Sequence, residues 1–382
     1  MKNATSTSLY ALRRHPASDV FKTTFSVVSF RKKIALNAIS NKIFLLSKSV
    51  VLFAFSLCFL VSCTQKPETH IYQGSTMGTT YTVKVVTGPK QTVPKDLQQQ
   101  IDKTLEDFNL IMSTYIENSE LSRLNHAPEG AWLNVSPSLF YLLDMSKQMS
   151  QLTGGAFDVT VGPLVNLWGF GPEEREQRLP SDEVLAETRK RVGYHLFDLD
   201  LEKSAITRKA DIYIDLSAIA KGFGTDIISD FLSSKGFENY MVEIGGELFL
   251  TGHNAQEELW SIGVEKPSLA HDGAVQAISV SDAGIATSGD YRNYVEIEGQ
   301  RFSHTIDPAT GKPITHNLAS VTVIAPTGAE ADALATAINV MGPERGFEFA
   351  KKYDLAVYLL IRENEGFTSK HTDSFTKYLN KL

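Results

Sequence analysis

No cysteine occurs after residue 63: the two thiols of the chain, Cys58 and Cys63, both sit near an amino-terminal apolar run. Everything beyond must be held by an apolar core and hydrogen bonds, with no disulfide, thiolate zinc site, iron–sulfur cluster or cysteine nucleophile. A chain of 382 residues that is 42% hydrophobic and 21% charged has material for one large or two modest domains. Charge is unevenly spread. Residues 1 to 62 carry nine Lys or Arg against the single acidic residue Asp19, whereas the rest holds 28 basic and 43 acidic residues. An acidic body repels phosphate backbones, so nucleic acid is excluded as a partner. Any phosphate-bearing ligand must be held locally, by a metal or by backbone amides.

The apolar run, Val50 to Val61, spans 12 residues and follows Lys48. It is too short to cross a bilayer and has the length of the apolar region of a secretory signal. It ends in Leu60-Val61-Ser62-Cys63, which resembles the bacterial lipobox, in which the cysteine is lipidated and becomes the mature amino terminus. The expected organisation is a leader and lipoprotein signal peptide over 1–62, a tether over 63–70 and one catalytic domain over 71–382. The resemblance implies a periplasmic protein held to a membrane through lipid on Cys63.

Beyond the tether, Thr80 to Val86 alternates as a strand, and Leu97, Ile101, Leu105, Phe108 and Met112 recur at helical spacing. Further helices are expected over Ser138–Leu152, from Pro180-Ser181 onward, and over Ala218–Lys235, Ala329–Met341 and Glu344–Lys352. Strands are expected at Ala210–Asp215, Tyr240–Ile244, Leu248–Thr251, Trp260–Glu265, Gln276–Ser281, Tyr294–Ile297, Ser320–Ile324 and Leu355–Ile361. Helices and strands interleave without regular alternation, which reads as an α+β fold with mixed sheets and packed helices.

Familiar catalytic signatures are missing. There is no G-x-x-x-x-G-K-[ST], and Gly222-Phe223-Gly224 lies inside an expected helix without a third glycine. No H-E-x-x-H and no G-x-S-x-G occurs, so zinc-protease and serine-hydrolase readings get no support.

What remains is a series of small, polar, glycine-rich segments at the ends of regular elements. They are Gly74–Thr80, Thr153–Pro163 (TGGAFDVTVGP), Asp215–Asp226 (DLSAIAKGFGTD), Glu243–Glu247 (EIGGE), Thr287–Tyr291 (TSGDY), Ser303–Pro313 (SHTIDPATGKP) and Ala331–Ala337 (ADALATA). In this order and spacing, over roughly residues 72 to 362, they resemble the ApbE family of FAD:protein FMN transferases. The resemblance implies that FAD is split at its pyrophosphate with Mg²⁺, that FMN passes to a threonine hydroxyl of an acceptor protein, and that AMP leaves. It also implies acceptors that are subunits of electron-transport complexes and carry a Ser/Thr-Gly-Ala-Thr-like motif.

Carried onto this chain, the resemblance implies a metal site of Asp332, Thr336 and the backbone carbonyl of Ala218. It implies FAD contacts from Met77, Tyr115, Ala156, Phe157, Asp158, Asp215 and Lys221. Asp332 and Thr336 are four apart, so a carboxylate and a hydroxyl share one helix face, and oxygen donors suit Mg²⁺. Taken singly, Asp332 also reads as a helix-start charge, and Tyr115 and Phe157 as core aromatics. Lys221 stands among small and apolar residues and needs a phosphate or Asp215 as partner. The roles of Glu243 and Glu247 stay open.

Attack on phosphorus by a neutral hydroxyl needs a base, and His304 is the histidine that lies inside one of these segments. The alternatives are that His304 orients Asp307 or contacts the flavin. Asp290 is a lesser candidate for positioning. Two other functions use the same contacts: an FAD pyrophosphatase, with water in place of threonine, and a non-catalytic flavin-binding lipoprotein.

Overall fold

The strands that read as near-continuous apolar runs sit at the centre of the molecule, because both of their faces are covered. In the computed structural model, which describes residues 66–172, 179–265, 273–289, 294–297, 300–364 and 366–380, all eight residues of the strand Leu318–Ala325 are buried. Cys63 and the apolar run before it lie outside the described residues, as does Asp290. Residues 65–382 form one compact unit. Among the described residues no helix is long and apolar enough to cross a membrane.

The chain opens with the hairpin β1 (Glu68–Thr76) and β2 (Thr79–Thr87), followed by α1 (Leu97–Met112), α2 (Glu120–Asn125), β3 (Trp132–Asn134) and α3 (Pro137–Leu152). Next come α4 (Gly162–Leu167), α5 (Asp182–Arg189), β4 (Phe197–Asp200), β5 (Ala205–Arg208) and α6 (Ala220–Ser234). Seven strands follow: β6 (Tyr240–Ile244), β7 (Glu247–Thr251), β8 (Trp260–Glu265), β9 (Ala274–Val280), β10 (Ala283–Gly289), β11 (Tyr294–Ile297) and β12 (Gln300–Ser303). The chain closes with β13 (Leu318–Ala325), α7 (Gly328–Lys352), β14 (Ala356–Glu363), β15 (Gly366–His371) and α8 (Asp373–Thr376).

The main sheet runs β1-β2-β6-β7-β10-β13-β14-β15. The α+β class holds, and every ladder among the described strands is antiparallel; parallel pairing is confined to the isolated bridge Val161–Tyr213. Period-two alternation divides the central strands between two cores. Val321, Val323, Val357 and Leu359 face Ala333, Leu334 and Ile338 of α7, while Ile324, Tyr358 and Leu360 face Trp260, Val264 and Ile278 of the β8–β9 hairpin. The five apolar residues of α1 that recur at helical spacing are all buried.

Capping residues account for the helix starts. Ser136 accepts from Leu139 N with Pro137 at the first turn, and Ser181 accepts from Val184 N with Asp182 and Glu183 behind it. The start of α7 has two caps: Thr327 Oγ1 accepts from Glu330 N at 3.1 Å, and the Asp226 carboxylate accepts from Gly328 N and Ala329 N at 2.6 and 2.9 Å. Helix α7 joins the two expected helical runs across a break at Gly342 (φ 78°), followed by Pro343.

Three departures from the sequence reading have a clear physical cause. The expected tether through residue 70 is already strand from Glu68, because Glu68, Thr69 and His70 pair with Thr87, Val86 and Val85. The expected strand at Ala210–Asp215 is absent: Asn125 takes the place of a strand neighbour, its Nδ2 donating to Ile214 O and its Oδ1 accepting from Ile214 N, both at 2.8 Å. The expected helix from Ala218 begins instead at Ala220, since Ile219 (φ −149°) turns the chain before the helix sets in.

Candidate functional site

Helices α6 and α7 touch backbone to backbone, and glycine is the reason. A Cβ on Gly222 would collide with the Gly328 carbonyl and lie 2.8 Å from Asp332 Cβ, and a Cβ on Gly328 would collide with Thr225 Oγ1. This approach sets the buried Asp332 against the first turn of α6, where Gly222 N donates to Asp332 Oδ2 at 3.0 Å. In an unbroken helix that N–H would bond to the carbonyl four residues back, that of Ala218. Here the helix begins only at Ala220, so Gly222 N–H is one of the donors a helix start leaves over and Asp332 caps it; among the described residues no N–H donates to Ala218 O. Thr336 lies one turn beyond Asp332 on the same face and is half-buried. A carboxylate, a hydroxyl and an unclaimed carbonyl thus belong to one helix crossing.

Lys221 leaves the same first turn toward the β6–β7 hairpin. Its Nζ lies 2.8 Å from Glu247 Oε1, with the lysine side chain 30% exposed and that of the glutamate 6%. Burial pushes the Glu247 carboxyl up to about 7, Lys221 pulls it back, and the charge on Asp332 adds to the rise. Burial alone would lower Lys221, but Asp332 and Glu247 outweigh it and hold the ammonium above its ordinary range. Gly245 (φ 61°) and Gly246 (φ 107°) form the two-residue turn of this hairpin, and a Cβ on Gly245 would sit 3.3 Å from Lys221 Cδ. Glu243 is occupied within the turn, accepting from Gly246 N at 2.8 Å. Glu247 is the site member whose role the sequence left open. Its one signal there is a carboxylate placed directly after Gly-Gly at the head of an apolar strand.

Met77 occupies the turn of the β1–β2 hairpin with φ 50°, beside Gly78 at 72°. That left-handed conformation is uncommon for a side chain of this size. Its Cε would stand 2.8 Å from a Cβ on Gly224, so the thioether lies against α6. Tyr115 is 68% exposed. Asp215 is buried below that turn of α6, accepting from Ser217 N at 2.8 Å and Ser217 Oγ at 2.5 Å, while its own N donates to Val159 O at 2.7 Å.

The segment 156–158 is more inward than its expected role suggests. Phe157 and Ala156 are buried, and Phe157 belongs to the central core. Asp158 spends its oxygens on Thr160 N and Oγ1 at 2.9 and 2.7 Å and on Tyr194 N at 2.8 Å. Burial raises its carboxyl against those hydrogen bonds.

His304 follows β12 and is half-buried, edge-on to Phe170 with ring centroids 6.4 Å apart. The loop after it is a set turn: Gly311 N donates to Asp307 O at 2.7 Å, Asp307 N to Lys312 O at 2.9 Å, and Gly311 has φ 74°. Trp168 Nε1 and Arg189 pin this loop from outside through Gly311 O and Ala309 O. Lys221 and Asp332 therefore meet at the helix crossing, with Thr336 one turn farther along α7, Ala218 two residues before α6, and Met77 against α6. His304 stands on a separately braced loop. Among the described residues no three His, Cys, Asp or Glu side chains converge as a metal cluster. Any cation here would draw on a hydroxyl and a carbonyl besides Asp332.

Residues 77–359 match the model of the ApbE family. The FAD:protein FMN transferase of Vibrio cholerae serotype O1 is 44% identical over 327 residues, which is 85% of this chain and 97% of that protein. Among solved structures, the flavin transferase ApbE from Vibrio cholerae superposes with a TM-score of 0.76 at 42% identity, covering 82% of this chain and all of the other. The apo flavinyl transferase ApbE of Pseudomonas stutzeri gives 0.76 at 35% identity, covering 82% and 97%.

Proposed function

The chain belongs to the ApbE family, and from that premise we propose that it is an FAD:protein FMN transferase which moves FMN to a threonine hydroxyl of an acceptor protein, with Mg²⁺, and releases AMP. The observation that carries the metal part of this reading is the capping of Gly222 N–H by Asp332 at a helix start that leaves Ala218 outside the helix. The Ala218 carbonyl, which no N–H among the described residues claims, would join the Asp332 carboxylate and the Thr336 hydroxyl in an all-oxygen donor set of the kind Mg²⁺ prefers. Bound there, Mg²⁺ supplies positive charge to the pyrophosphate oxygens.

The protein's own groups account for the rest. Asp332 is oriented by its hydrogen bond to Gly222, and Lys221, held by Glu247, offers an ammonium to a phosphate oxygen. Met77 and Tyr115 present a thioether and a ring to the flavin or adenine. His304 takes the proton from the threonine hydroxyl as its oxygen bonds to the FMN phosphorus. The anhydride bond then breaks, and AMP departs with the bridging oxygen.

The same reading places the protein on a membrane, through lipid on Cys63, on the periplasmic side. Its acceptors there are electron-transport subunits with a Ser/Thr-Gly-Ala-Thr-like motif. The test is to incubate the protein with FAD, Mg²⁺ and a domain bearing such a motif. The expected result is a fluorescent acceptor and one AMP per flavin attached, both lost on chelation. Free FMN and AMP with no labelled acceptor would identify a pyrophosphatase instead.

A further inference from the structure

Seven residues beyond Asp332 and three beyond Thr336, on the same face of α7, stands Asn339, with none of its surface exposed. Its Nδ2 reaches two hydroxyls from different parts of the chain. One is Ser288 Oγ at 3.1 Å, near the end of β10, and the other is Thr305 Oγ1 at 3.3 Å, on the residue after His304. Its backbone is tied as well. In a continuous helix the Asn339 carbonyl would accept from residue 343, but that residue is Pro343 and has no N–H. His316 Nε2 donates to it instead, at 2.7 Å.

Its neighbours on α7, Ala335, Ala337 and Ile338, are apolar and buried, so an apolar side chain would suit this place if packing were all it required. Asn339 Oδ1 is moreover buried with no hydrogen-bond partner. An unmatched buried acceptor is destabilising, which weighs against a purely packing role.

We propose that Asn339 is a positioning residue that registers the His304 loop against the face of α7 carrying Asp332 and Thr336. The inference rests on His304 being the base that accepts the threonine proton. Asn339 itself touches no reacting atom. Through Thr305 it limits how far His304 can move relative to the phosphorus, while Ser288 fixes the amide's rotation. A displacement of about 1 Å in such a group is enough to cost about 100-fold in rate.

The test is a double-mutant cycle on single-turnover transfer to a threonine acceptor at saturating FAD and Mg²⁺, with FAD affinity read from fluorescence quenching and folding from thermal melts. Asn339→Leu keeps the branched heavy-atom shape and removes the amide; Thr305→Val replaces only the partner hydroxyl with a methyl. Each should slow transfer about 10- to 100-fold while FAD affinity stays within about threefold. His304→Ala should lose about two to four orders of magnitude, the range of a general base. On that background Asn339→Leu or Thr305→Val should cost less than about twofold more, because the group they position is gone. The same loss on both backgrounds, unimpaired transfer in Asn339→Leu, or FAD affinity falling in step with rate would overturn the positioning role and leave the base assignment standing. Unimpaired transfer in His304→Ala would sink both. If Asn339→Leu melts early, the Thr305→Val cycle decides by the same outcomes.

Discussion

Lys221 Nζ lies 2.8 Å from Glu247 Oε1, and the other oxygen of that carboxylate, Oε2, is buried with no partner. The pair is therefore asymmetric: the lysine reaches solvent along part of its length, and the glutamate depends on the lysine for its charge.

Lys221→Met strands that glutamate. It should lower stability by about 1–3 kcal/mol, below the full value for a buried pair because the lysine is partly exposed, and weaken FAD binding. Adding Glu247→Gln should restore the melting temperature without restoring FAD affinity. If the double variant melts no higher than Lys221→Met, the instability has another source.

At the face proposed to hold Mg²⁺ the order of effects is diagnostic. Asp332→Ala removes the carboxylate and the acceptor of Gly222 N, so it should abolish transfer and also lower the melting point. Asp332→Asn keeps an acceptor for Gly222 and should recover stability but not transfer. Thr336→Ala removes a neutral donor that water can partly replace, and should slow transfer by about tenfold or less, a loss of about 1.4 kcal/mol. Transfer rates of all three against Mg²⁺ concentration give the comparison; full activity in Asp332→Asn would take the charge out of the mechanism.

Asp226 makes stability depend on pH. Burial pushes its carboxyl up to about 7 against its bonds to Ala329 and Gly328, with Asp230 and Glu330 adding to the rise. A carboxyl raised above its ordinary 3.8 stabilises the fold fully below that value, and the contribution fades as pH climbs through 7. Melting temperature should fall between about pH 4 and 7.5 and level off above, by an amount worth about 1 kcal/mol or more. Glu330→Gln, which removes one repelling charge, should fall less over the same interval. A drop identical to the parent's would free Asp226 of responsibility.

Cys63→Ser tests the anchor. The variant should leave the membrane fraction and appear as soluble, folded protein with unchanged transfer to a soluble acceptor, since the folded unit contains no thiol. Retention in detergent-dependent membranes would show that something other than lipid on Cys63 holds it there.

Much of this architecture could be read from spacing alone where a segment's fate is decided locally. The α1 periodicity, the Ser181 cap and the all-buried β13 are of that kind. Ala210–Asp215 could not be read in this way, because Asn125, from far upstream, supplies the hydrogen bonds that a neighbouring strand would have supplied. The site divides along the same line. The shared face of Asp332 and Thr336 follows from the helical period. The Ala218 carbonyl goes unclaimed because Ile219 delays the helix start to Ala220, and the capping of Gly222 N–H by a carboxylate on another helix depends on packing. Glu247 and Asn339 gain their meaning from partners on other elements, Lys221 in one case and Ser288 and Thr305 in the other.

The contact between Gly222 and Gly328 gives the site an unusual kind of vulnerability. The oxygen donors proposed for Mg²⁺ come from segments more than a hundred residues apart, and the gap between them is set by two side chains that do not exist. A single methyl group at either glycine would wedge the helices apart, lengthen the reach from Ala218 to Asp332, and disarm the centre while every donor stayed in the sequence. Inspection of the ligand residues alone would pronounce such a chain intact.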